Sequence, residues 1–181
     1  MTERVPTSTL GQVFAQLRTA SATGNPADCI EVMSGKTQQV VGLRSESVFG
    51  GHNLVIDEPI SFGGTGAAPN PAEVLLAAIG ASIEVTARVY AEYMGINVAA
   101  IGVDLSAELN SQGFFGTKEG IRSGFHGISV KVNIVSNEKP ETIAELLEIV
   151  QRCCPVLDNV RAPTEVMVTV DHRTPGSSEA S

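Results

Sequence analysis

The chain has 181 residues, of which 43% are hydrophobic and 18% charged, and its net charge is −8. This is enough chain for one globular domain with a sizeable core, and the composition excludes an intrinsically disordered protein. The acidic balance argues against a nucleic-acid binder, which needs a basic face. Aromatic residues make up only 4% and Trp is absent, so an aliphatic core is expected. The N-terminal MTERVPTSTL lacks the apolar core of a secretory signal, and Glu73 and Glu84 bracket the most apolar stretch. A cytoplasmic chain without membrane contact is therefore expected. Cys29, Cys153 and Cys154 are odd in number and two are adjacent, which does not make a disulfide framework.

Residues 7–22 read as a short helix capped by Thr7 or Ser8, with Leu10, Val13, Phe14 and Leu17 in one stripe. It forms a peripheral arm, residues 1–25, closed by Gly24-Asn25-Pro26. Cys29–Met33 alternates like a strand, Ser34-Gly35-Lys36 turns, and Thr37–Val48 reads as a longer strand. Gly50-Gly51 signals a hairpin into a third strand, His52–Asp57. Together these predict an antiparallel meander.

The chain is organised around the next stretch, Phe62–Met94. Gly63, Gly64, Gly66, Pro69 and Pro71 punctuate a loop. Asn70 is a good N-cap, and Pro71 suits the first helical position because its missing N–H has no partner to lose there. Val74, Leu75, Ala78, Ile79, Ser82, Val85, Thr86 and Val89 then recur at helical spacing. The opposite side is nearly uncharged, so the helix is expected to be buried on all sides. The Ala77–Ala81 run lets another backbone approach, and Ser82 places one hydroxyl in the middle.

Gly95 ends the helix as its C′ residue. Val98–Leu109 is a strand, Asn110–Gly124 a long Gly-rich loop, and Phe125–Val135 a half-buried strand. Pro140–Cys153 is an amphipathic helix with Ile143, Leu146, Leu147 and Val150 inward, stopped by Pro155. Thr164–Val170 is a last strand, and residues 173–181 form a disordered Gly/Ser/Pro tail. Residues 26–172 thus form a single α+β domain, ordered β-β-β-α-β-β-α-β. Its central helix is too apolar for a monomer's surface, and a homodimer with sheets on one side and a twin helix on the other would cover it.

Asn70-Pro71-Ala72-Glu73-Val74-Leu75-Leu76-Ala77-Ala78 opens this helix after a Gly-rich loop, and a second helix ends in Cys154-Pro155. In these motifs and in element order, from about Lys36 to Val170, the chain resembles the OsmC/Ohr family of thiol-dependent peroxidases. The resemblance implies an OsmC-like fold, antiparallel sheets around a long buried helix, in an intertwined homodimer. It also implies organic hydroperoxides as substrates and a two-cysteine mechanism. The family's reactive cysteine falls on Ser82 and its resolving cysteine on Cys154. The glutamate after Asn-Pro falls on Ala72, leaving Glu73 one position and about 100° of helix rotation away. The helper arginine comes from the meander, where Arg44 is the one arginine.

Ser82 has a plain reading beside this one: a small residue whose hydroxyl bonds the carbonyl four residues back. As a nucleophile it would need a base such as His52 or His126, and no Gly-x-Ser-x-Gly elbow surrounds it. Cys153 and Cys154 read either as packing thiols at a helix end or as a redox pair. Glu84 and Arg88 stand at i,i+4, as in an ordinary helix pair. His52, His126 and His172 show no metal-ligand spacing, and no cofactor motif is present.

Three functional expectations follow. The first is a hydroperoxide-defence protein whose two-cysteine site is degenerate and whose activity is weak or absent. The second is a binder of a small hydrophobic ligand in the pocket at the dimer interface. The third is a serine hydrolase.

Overall fold

Asn70 and Pro71 open the longest helix of the protein. The structure, a computed structural model, describes residues 5, 6, 8–162 and 164–174. Helix α2 runs Pro71–Tyr93, with Asn70 as N-cap. Asn70 Oδ1 accepts from the Glu73 amide at 2.9 Å, and Glu73 Oε2 accepts from the Asn70 amide at 2.8 Å. This reciprocal capping box satisfies two amides that the first turn would otherwise leave open. Gly95, at φ +63°, turns the chain out of the helix in the left-handed region that glycine enters without strain.

The core lies along one stripe of α2: Ile79, Ile83, Ala87 and Ala91, spaced four apart. Strands β4 (Val98–Leu109) and β5 (Phe125–Ser136) pair antiparallel and cross this helix. Gly80 makes the crossing close, because a Cβ there would stand 2.9 Å from Leu105 Cδ1. Helix α4 (Pro140–Cys153) contributes Leu146 and Val150 from its inward face, as its periodicity predicts.

The helix is not buried on all sides within one chain. Ala77, Ala78, Ala81 and Val85 lie exposed along one face, Val85 at 63%. By length and hydropathy α2 meets the requirement for a membrane span, yet only 33% of its most apolar window is buried in this chain. That face is the one an additional partner would have to cover.

The meander forms as three strands, β1 (Gly35–Val41), β2 (Arg44–Phe49) and β3 (His52–Ile56). Its boundaries differ from expectation. The single strand expected over Thr37–Val48 is a hairpin that turns at Gly42, φ +54°. Cys29–Met33 is not a strand: Pro26–Cys29 forms a 3-10 turn, and the residues after it run irregular and exposed. The apolar alternation there meets no strand edge, and a strand exists only by pairing. No residue of the meander joins the buried core cluster.

Two further expectations change near the C-terminus. Pro155 stops α4 but starts a new helix, α5 (Pro155–Arg161), at whose first position it sits. Thr164–Val170 forms no strand; it is irregular and exposed, Met167 at 87%. Within the loop after β4, Ser111–Phe114 makes one helical turn, α3. The observed order is therefore α-β-β-β-α-β-α-β-α-α.

Helix α1 (Thr9–Thr23) is capped by Ser8, whose hydroxyl accepts from the Gly11 amide; Thr7 lies outside the described residues. It docks on α2 through Gly11 and Phe14, which packs edge-on against Tyr90 and Tyr93. Leu10, Val13 and Leu17 of its predicted stripe remain exposed. Of the predicted tail, 175–181 lie outside the described residues.

Candidate functional site

A residue before proline is driven out of the helical region by its clash with the proline ring. Cys154 obeys this with φ −77° and ψ 112°, so α4 ends and α5 begins on the same residue. Its amide donates to the Val150 carbonyl and its carbonyl accepts from the Asp158 amide, both at 3.0 Å. The negative end of one helix and the positive end of the next meet at this cysteine. Its side chain turns inward and is 0% exposed.

What it meets is Ser82. The Ser82 Oγ and Cys154 Sγ lie 3.1 Å apart, and either atom can donate. Ser82 thus does not bond the carbonyl four residues back; Thr86 does that instead, its hydroxyl donating to the Ser82 carbonyl at 2.7 Å. Among the described residues no histidine hydrogen-bonds Ser82.

The remaining predicted residues stand apart from this pair. Cys153 ends α4 exposed, on the outside of the junction. The Tyr90 phenol is raised above its ordinary pKa of 10, chiefly by a hydrogen bond with Cys153, then by burial and by Cys153's charge; Arg18 and Arg152 pull it down. Glu73 is engaged in the capping box. Arg44 pairs with Glu46 at 2.9 Å on β2. Arg88 pairs with Glu92 at 3.4 Å rather than with Glu84, and donates to the Val98 carbonyl at 2.7 Å. No group of three or more metal-ligating side chains gathers among the described residues.

The loop that leads into α2 is built on a residue that the sequence reading passed over. Asp57 is buried, and its carboxylate accepts from the amides of Glu58, Thr65 and Ala67 and from the Thr65 hydroxyl. The Thr65 hydroxyl, with the three amides, overcomes burial and holds the carboxyl down at about 2 from an ordinary 3.8. Its own amide donates to the Pro69 carbonyl at 3.1 Å. A strand-ending Asp before a Gly/Thr loop is the signal that could have revealed it.

A cavity of about 690 Å³ opens between α2, β5 and α5, and neither Ser82 nor Cys154 is part of its lining. Leu75 and Ile79 of α2 line it on the same helical face as Ser82, one to two turns earlier. Leu157, one turn after Cys154, and Phe125, Ile128 and Val130 of β5 line it as well. The sequence did not disclose its polar lining, Arg122, His126 and Arg161, because these come from a loop, a strand and a helix that only folding brings together.

A capped core helix, a two-stranded antiparallel sheet across it and a Cys-Pro junction docked on its middle define the class: an α+β protein of OsmC-like fold. A family model described as OsmC-like protein matches residues 64–169, and the chain belongs to that family. No curated protein matches it. Among solved structures, an OsmC-like protein from Mycoplasma pneumoniae is similar with a TM-score of 0.62 at 15% identity, over 74% of this chain and 89% of that one. An organic hydroperoxide resistance protein OsmC from Legionella pneumophila gives 0.56 at 21% identity, over 74% and 91%. A Vibrio cholerae protein described as an organic hydroperoxide resistance protein, with captopril bound in one of its active sites, gives 0.53 at 17%, over 75% and 90%. At these identities the likeness shows the fold.

Proposed function

We propose that this chain is a hydroperoxide-defence relative whose two-cysteine centre is altered, so that thiol-dependent peroxidase turnover is weak or absent. The observation that carries the reading is the 3.1 Å contact between Ser82 and Cys154. In a two-cysteine cycle a thiolate attacks the peroxide, releases the alcohol and becomes a sulfenic acid; a second thiol displaces water from it and forms a disulfide. Ser82 stands where the partner sulfur is needed, and an oxygen forms no disulfide. Cys153 faces outward from the junction and does not replace it.

The test is peroxide loss with an organic hydroperoxide and a dithiol such as dihydrolipoamide. The wild type is expected near background. Ser82→Cys is expected to restore a disulfide with Cys154 and measurable turnover. Fast turnover by the wild type, abolished by Cys154→Ser, overturns the reading.

The same proposal includes a homodimer in the cytoplasm. The dimer is supported by the open α2 face, by a meander that stands off the core, and by the unpaired apolar run Val166–Val168. A second reading, a small hydrophobic ligand held in the pocket, is favoured by the 690 Å³ cavity. That volume lies within the range of small-molecule sites. The captopril held by the Vibrio cholerae protein is in keeping with it. The serine-hydrolase reading lacks support from any base bonded to Ser82.

A further inference from the structure

We propose that the loop between β4 and β5, residues 110–124, is a hinged lid on the cavity, latched by a cluster of three phenylalanines. The inference rests on the ligand-holding reading above and adds how entry to that site is controlled. Both ends of the loop belong to the cavity wall: Leu109 precedes it, and Arg122 and Gly124 close it. A movement of the loop therefore moves part of the wall. The hinges lie where the sheet stops. The β4–β5 register breaks between Glu108 and Leu109, and Gly124 precedes Phe125, the partner of Leu109.

The loop is built as one body. Asn110 caps α3, its Oδ1 accepting from the Gln112 amide at 2.9 Å. The Gly113 amide donates to the Asn110 carbonyl at 3.0 Å, the Phe115 amide to the Ser111 carbonyl at 2.9 Å and the Thr117 amide to the Gln112 carbonyl at 3.1 Å. Gly113 lies so close to the returning limb that a Cβ there would collide with the Arg122 carbonyl. Among the described residues, no hydrogen bond made by residues 111–120 leaves the loop.

The ring contacts that tie this body to the entry of α2 come from Phe62, at the end of the 3-10 turn Ile60–Phe62. Its ring meets Phe114 edge-on at 5.4 Å and Phe115 stacked at 5.8 Å, and those two meet each other at 5.3 Å. Three of the chain's six phenylalanines gather here, yet they are 40%, 58% and 59% exposed. Such rings hold by contact with one another rather than by burial in the core. A few contacts of this kind keep a lid in place and still let thermal motion release it, whereas a wall packed into the core would open only with global unfolding.

The probe is Nile red, an uncharged apolar dye, mixed with the full chain in a stopped-flow fluorimeter. Phe62→Ala removes both contacts across the latch, and Phe115→Ala removes one of them from the other side; urea midpoints check that each variant folds. Phe62→Ala is expected to raise the association and dissociation rates together by about tenfold, the equivalent of about 1.4 kcal/mol of aromatic contact, with Kd changed less than about twofold. Phe115→Ala is expected to raise both rates by a smaller factor. A changed Kd with an unchanged association rate would show that the phenylalanines only support the wall, which overturns the lid. Loss of dye binding in the variants would make the cluster itself the dye's site and overturns it equally. Rates unaltered by either variant overturn the lid and leave the ligand-holding reading standing. A dye that binds neither the wild type nor the variants overturns that reading, and the lid with it.

Discussion

Ser82 and Cys154, 72 positions apart in sequence, meet at 3.1 Å through side chains that a core helix and a Cys-Pro junction hold in place. Cys154 is wholly buried while Cys29 and Cys153 are exposed, which sorts the three thiols by access. Native protein treated with an aromatic disulfide reagent should release about two equivalents quickly and the third only after denaturation. Quick release of all three would show that the Ser82–Cys154 contact does not shield the sulfur.

Asp57 makes the loop before α2 sensitive to acid. Its folded pKa, about 2, lies below the ordinary 3.8. Between these values the unfolded chain binds more protons, so stability rises with pH there. The contribution is complete above about pH 4 and is lost as pH falls toward 2. Urea midpoints measured from pH 5 to 2 should fall more steeply for the wild type than for Asp57→Asn, which lacks the titrating carboxylate. Parallel curves would remove Asp57 from the account.

The capping box gives a local test of how α2 begins. Asn70→Ala removes the side-chain acceptor for the Glu73 amide and should destabilise the protein by about 1 kcal/mol in chemical denaturation. Pro71 and the remaining turn stay in place, so the fold should persist. A neutral substitution would mean that water serves the amide equally well.

Leu146 is fully buried at the centre of the α4 face that meets α2. Leu146→Ala should lower stability by about 2–5 kcal/mol, the range for an aliphatic side chain lost from a packed core. An effect below about 1 kcal/mol would mean that α4 is not held against α2 in solution.

The open face of α2 tests the homodimer. Val85 is 63% exposed there, so Val85→Glu should leave the chain's own packing intact. In a dimer built on that face, the buried charge should shift sedimentation from dimer to monomer. A wild type that sediments as a monomer at all concentrations would overturn the proposal.

Much of the fold could be read in order along the chain. The Asn70-Pro71 start, the Gly95 stop, the alternation of β5 and the 146/150 stripe of α4 are local signals, and the elements lie where those signals put them. The short apolar runs misled for one reason. Cys29–Met33 and Thr164–Val170 have strand composition, but a strand needs a neighbouring edge, and neither run finds one among the described residues. Gly42 splits what looked like one strand because a positive φ at a single glycine suffices for a hairpin.

By itself the sequence determined the long apolar helix, its caps, the family likeness and the presence of serine where a reactive sulfur is expected. These depend on neighbours within a few residues, or on a motif. Only the tertiary structure decided that Ser82 turns to Cys154 rather than to its own helix, that Asp57 ties the Gly-rich loop, and that Arg122 and Arg161 share one cavity. Those relationships join distant segments, and burial in a common core is what selects them.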